Sequence, residues 1–171
     1  MFGLGLSSVL NEYSVTVESI SYPYPDGAMT ICTDIFMKSG CDRMLIIDTD
    51  IIFEPKHVQM LLAHDVPFVS GVYPKKVREL EFPILPLDES TTCADLFKES
   101  NPLLVEVAAC ARGFTAIKRE VFETCGATWK NMPDGSSEDF ELCGRMRAAG
   151  IKVLIDRRIL LRHEGSAVYP L

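Results

Sequence analysis

Two pairs of acids and one histidine are the residues in this chain whose types and spacing could do chemistry. The stretch LIIDTDIIFEP sets Asp48 and Asp50 two residues apart at the end of an apolar run. In extended backbone alternate side chains point to the same side, so both carboxylates can reach one ligand. Carboxylates are hard oxygen donors suited to Mg²⁺ or Mn²⁺, ions that also bridge phosphate oxygens. The plainer reading is a pair of turn acids where a strand leaves a sheet. A second pair, Glu138 and Asp139, opens an amphipathic helix in GSSEDFELCGRMRAAG. Acids there gain about 0.3–1 kcal/mol from the helix dipole, and Ser136 or Ser137 can cap the same end, so a structural role accounts for them. If one of them faces a crevice, it can instead remove a proton from an acceptor hydroxyl. His163 follows a late strand in LLRHEGS, where a neutral imidazole could complete a metal site. The other two histidines, His57 and His64, lie on the helix after the aspartates and are expected to face solvent or cap its end.

These side chains need elements to hold them, and the apolar spacing supplies an alternating series. Residues 2–10 read as a short helix and 14–20 as a strand, followed by a proline-rich turn at 22–27. Helical spacing at Met29, Cys32, Ile35 and Phe36 predicts a helix over 28–39, with Gly40 as its stop. The unbroken run 44–47 predicts a buried strand of a parallel sheet. Pro55 suits the first turn of a helix that turns Val58, Leu61 and Leu62 inward. Further strands are expected at 66–73, 105–109, 114–117, 152–155 and 159–161. Helices are expected up to Cys125 and over 137–149, with 80–101 irregular and 129–136 a loop. Strands alternating with helices predict an α/β sandwich with a mostly parallel sheet and a ligand crevice at the C-terminal strand ends.

Composition narrows the function. At 171 residues the chain fits one domain with a sizeable core, and 47% hydrophobic with 24% charged residues is ordinary for a soluble protein. A net charge of -7 argues against nucleic acid as a partner but leaves room for a nucleotide, because a metal ion can neutralise a diphosphate locally. No apolar run approaches the roughly 20 residues that cross a bilayer, and the opening MFGLGLSSVL lacks a basic region, so the cytoplasm is the default location. The six cysteines form no CxxC pair and are expected to be free thiols in the core.

Taken in order, IIDTDIIFEP, FVSGVYPKK, ARGFTAIKREVFE, SSEDFELCGRMRAAG and RHEG resemble metal-dependent GT-A glycosyltransferases. The resemblance is to family 2-like enzymes and their short bacterial and phage relatives, and it spans about Cys41 to Gly165. It implies a metal-dependent transfer from a nucleotide-sugar donor, UDP-linked by family habit, to a glycan, lipid or small-molecule acceptor. Residue by residue, Asp50 would coordinate the metal that holds the diphosphate. Asp48 would contact the ribose, or the metal through water, and His163 would be the further metal ligand. Asp139 would be the general base of an inverting transfer, with Glu138 supporting it or binding acceptor. Gly113 would let the backbone approach the donor sugar, and Lys75 and Lys76 would reach phosphate or acceptor, although adjacent lysines are more often solvated.

The front departs from the pattern. A GT-A domain normally opens with a strand that cradles the base, and this sequence is expected to begin at the first helix, an N-terminally truncated form. Tyr22 or Tyr24 could stack on the base instead, and the sheet edge left open favours a homo-oligomer. A haloacid-dehalogenase-type phosphotransferase also sets D-x-D after an apolar strand, but it requires Thr or Val where Ile52 stands, and no later GDxxxD follows. A non-catalytic nucleotide-sugar or glycan-binding module on the same fold is the alternative from another functional class.

Overall fold

Proline and glycine set the limits of several helices. In a computed structural model that describes residues 13–77, 79–130, 137–165 and 168–169, the first described helix, α1 (Pro25–Lys38), has proline at its first turn. There follow β1 (Arg43–Ile47), β2 (Ile51–Ile52), α2 (Pro55–Leu62), β3 (Phe68–Val72), β4 (Ile84–Leu85), α3 (Cys93–Leu96), β5 (Leu104–Val107), β6 (Ala109–Cys110) and β7 (Phe114–Lys118). The chain then runs through α4 (Arg119–Cys125), α5 (Glu138–Ala148), β8 (Val153–Leu160), β9 (Arg162–Glu164) and β10 (Val168–Tyr169). Gly126, with φ of 83°, ends α4 in a conformation that a side chain would strain.

The central sheet has the order β1-β7-β3-β8-β5. Contrary to the mostly parallel sheet expected, among the described residues only the β3–β8 pairing is parallel; β7 lies antiparallel to both β1 and β3, and β5 antiparallel to β8. The run 44–47, expected to be a buried strand, forms the edge strand β1 with alternating burial; β3 and β7 are buried on both faces, but burial does not set the direction of the neighbours. Because β1 and β3 both oppose β7 and β3 is parallel to β8, the strands β1, β3 and β8 end at one rim, where β7 begins. The fold is therefore mixed α/β.

Helices cover both faces. Phe36 of α1, Phe122 of α4 and Met146 of α5 pack with Met44, Phe68, Ile117 and Ile155 of the sheet. On the opposite face Val58 and Leu61 of α2 pack with Val69, Phe114, Ile159 and Leu161. Arg119 ties the first of these layers together. Its guanidinium donates to the carbonyls of Phe36, Met37, Ser39 and Cys41, satisfying the C-terminal end of α1 from the start of α4.

Several local expectations need correction. Residues 14–20 belong to no strand, and Val15 and Val17 are exposed. The two closing strands are one, β8, whose register against β3 shifts between Ser70↔Ile155 and Val72↔Leu160. Asp156 pins that irregularity. Fully buried, it accepts the Arg158 backbone N–H at 2.9 Å and its Nε at 3.0 Å, and it meets His64 Nε2 at 2.8 Å. His64 is thus paired rather than solvated, whereas His57 does cap α2, its Nδ1 accepting the Glu54 N–H at 3.0 Å. The irregular 80–101 region holds β4 and α3, the latter closed by a reciprocal Thr92–Asp95 capping box. The helix expected at 2–10 lies outside the described residues, as does Ser136. All six cysteines are free, and among the described residues no helix is long and apolar enough to cross a membrane.

Candidate metal and acid centre

The rim collects its polar residues from four strand ends and one helix start. Asp48 leaves β1 with its backbone N–H donating to the Gly113 carbonyl at 2.8 Å, and its own carbonyl accepts from Ile51 at 3.1 Å. That turn delivers the chain into β2, which pairs with β9 so that Ile51 lies opposite His163. The Glu164 N–H then donates to the Asp50 carbonyl at 2.7 Å. Backbone pairing therefore brings together two residues far apart in sequence, and His163 Nε2 stands 3.4 Å from Asp50 Oδ1.

The histidine is oriented from behind. Its Nδ1 lies 2.9 Å from the Pro74 carbonyl, which can only accept, so the proton sits on Nδ1 and Nε2 faces Asp50. The Tyr73 ring packs edge-on against the imidazole at 5.3 Å. Tyr73 Oη in turn accepts the Gly113 N–H at 2.8 Å. Burial, joined by the Asp48 charge, pushes the Tyr73 phenol well above its ordinary value, so it stays protonated. A Cβ at Gly113 would lie 2.7 Å from Tyr73 Oη and 2.9 Å from Asp48 Oδ2. The glycine is thus required by the protein's own packing, and both its backbone polar groups are engaged there rather than offered to a sugar.

Asp50 and His163 meet the geometric requirement for sharing a cation. Two ligands each about 2.1–2.2 Å from an ion and roughly 100° apart stand about 3.3 Å from one another. Among the described residues no third His, Cys, Asp or Glu joins them. Two protein donors leave positions for phosphate oxygens and water, the usual manner of holding Mg²⁺ at a nucleotide site. Lys76 Nζ lies 2.5 Å from the other oxygen, Asp50 Oδ2. Burial pushes the Asp50 carboxyl upward, but the Lys76 hydrogen bond and charge outweigh it, and the group lies below its ordinary value. Lys75 takes no part: it pairs with Glu81 at 3.0 Å on the exposed side of the loop.

Arg112 joins Asp48 to the helix acids. Its Nη2 lies 3.1 Å from Glu138 Oε1, its Nη1 3.6 Å from Asp48 Oδ2, and its backbone N–H donates to Asp139 Oδ2 at 3.3 Å. The guanidinium also lies 6.0 Å from the centroid of the Trp129 ring. Its buried Nε has no hydrogen-bond partner among the described residues. Glu138 and Asp139 are 5% and 9% exposed, deeper than helix-dipole acids on a solvated face would be. Ser137 stands at the N-cap without a side-chain bond, so the capping role expected of it is absent. Burial raises the Asp139 carboxyl to about 6, the nearby Arg112 charge opposing and the Glu138 charge adding to the rise. Asp48 is also raised, again by burial against the pull of Arg112.

Sequence reasoning passed over Arg112 and Tyr73. The signal for the first was a single cation inside the apolar run VEVAACARGF, where a charge needs acids around it.

No family model matches the chain, and no curated protein matches it. Among solved structures it is similar to A197 from STIV, with a TM-score of 0.59 and 20% sequence identity, over 95% of this chain and 80% of that one. At that identity the likeness is one of fold.

Proposed function

We propose that this chain is a metal-dependent glycosyltransferase that moves a sugar from a nucleotide-sugar donor, a UDP-sugar by family habit, to an acceptor hydroxyl with inversion. The observation that carries the reading is the 3.4 Å approach of His163 Nε2 to Asp50 Oδ1, at the rim where Arg112 also gathers Asp48, Glu138 and Asp139. Asp50 and His163 would hold Mn²⁺ or Mg²⁺, which offsets charge developing on the departing nucleoside diphosphate. Asp48 lies beside them for the ribose. Asp139 takes the proton of the acceptor hydroxyl as the acceptor oxygen bonds to the anomeric carbon and the bond to the diphosphate oxygen breaks. A carboxyl raised to about 6 is a stronger base than an ordinary aspartate and is still largely ionised at neutral pH. Glu138 supports it through their shared cation, Arg112.

The test is a panel of nucleotide sugars incubated with the protein, with and without Mn²⁺, because a catalytic site hydrolyses its donor slowly even without an acceptor. Metal-dependent hydrolysis is expected, and Asp139→Asn should lower transfer at least about 100-fold while donor binding persists. Undiminished turnover in Asp139→Asn removes the base assignment. Binding without turnover on every donor indicates the non-catalytic module instead.

A further inference from the structure

Two adjacent lysines follow β3, and the loop gives them different tasks. Lys75 fastens the loop to itself: its N–H donates to the Glu81 carbonyl at 2.7 Å and its ammonium pairs with the Glu81 carboxylate. With Lys75 turned outward, Lys76 reaches the rim and sets its ammonium 2.5 Å from Asp50 Oδ2. One residue before this pair, the Pro74 carbonyl fixes the His163 ring. The same short segment therefore orients one proposed metal ligand and neutralises the other.

We propose that Lys76 is an internal counter-cation: it holds Asp50 in place until a divalent ion arrives, then gives up the carboxylate and pairs with the donor diphosphate. This inference rests on the metal-site reading above. An ion shared by Asp50 Oδ1 and His163 Nε2 would lie within a few ångströms of the ammonium on Oδ2, and two cations so close repel. A diphosphate reverses that balance, because its oxygens bridge the metal and accept from lysine together. Both Lys76 and Asp50 are more than a third exposed, so the ammonium can move without crossing packed protein.

Metal alone and metal with nucleotide should then respond in opposite directions to removal of this charge. Titration calorimetry on the full chain, with MnCl₂ first and then UDP at saturating Mn²⁺, reads both. Relative to the unaltered protein, Lys76→Met is expected to bind Mn²⁺ about three- to tenfold more tightly, given the modest worth of an exposed ion pair. It should bind UDP at saturating Mn²⁺ about tenfold more weakly, and Lys75→Met should change neither. If Lys76→Met leaves Mn²⁺ affinity unchanged while Asp50→Asn abolishes it, the counter-cation role falls and the metal site stands. If neither the unaltered protein nor Lys76→Met binds Mn²⁺, although circular dichroism shows both folded, the metal site and the role of Lys76 fall together. Tighter Mn²⁺ with unchanged UDP affinity overturns the transfer to phosphate.

Discussion

At the scale of single residues, the decisive feature is one guanidinium among three carboxylates. Arg112 meets Asp48 and Glu138 through its side chain and Asp139 through its backbone. Without a cation there, burying acids this closely would drive at least one of them to hold its proton. Since the Arg112 charge lowers Asp139, Arg112→Gln should move the midpoint of the rate profile above its expected position near pH 6. Turnover at pH 6 should fall about three- to tenfold, with recovery at higher pH. A pH–rate series on donor hydrolysis checks this, and an unmoved midpoint would show that Arg112 does not govern the base. The sequence exposed the acids because each pair is close in the chain and adjoins an apolar pattern. Arg112 was hidden because its partners are scattered along the chain and meet only on folding. Nor could the sequence divide labour between Lys75 and Lys76, since the Glu81 contact that separates them belongs to the loop conformation.

At the scale of elements, α1 begins at Pro25, inside the stretch expected to be a turn, but the limits of α2 and α5 were legible from proline and apolar spacing. Strand direction was not, because β7 carries the same double-sided burial as a parallel strand while opposing both its neighbours. The irregularity in β8 was read as a break between two strands, and its cause is the fully buried Asp156. That carboxylate joins Arg158 on its own strand to His64 beyond α2. Asp156→Ala should cost about 1–3 kcal/mol in urea unfolding, since it leaves buried donors without their acceptor. A loss below a few tenths of a kcal/mol would mean that packing alone shapes the irregularity.

For the molecule as a whole, the raised Asp139 carboxyl sets a pH dependence opposite to that of most buried, paired acids. Its folded value near 6 lies above that of an unfolded aspartate, about 3.9, so the native state holds the proton more firmly between these limits. The stability it contributes is therefore complete below about pH 4 and is lost as pH rises through 6. The difference in Tm between the unaltered protein and Asp139→Asn should thus shift in favour of the variant from pH 4 to pH 7. Thermal melts across that range measure it, and a flat difference would show that Asp139 is not held up by burial. The pairing of β2 with β9 has a consequence in time. During synthesis the earlier half of the chain emerges with both aspartates already present, yet the imidazole that faces Asp50 arrives only with the last hairpin. On the proposed metal site, a chain lacking β9 would display the D-x-D without its second ligand, and cation capture would report that β9 has paired with β2.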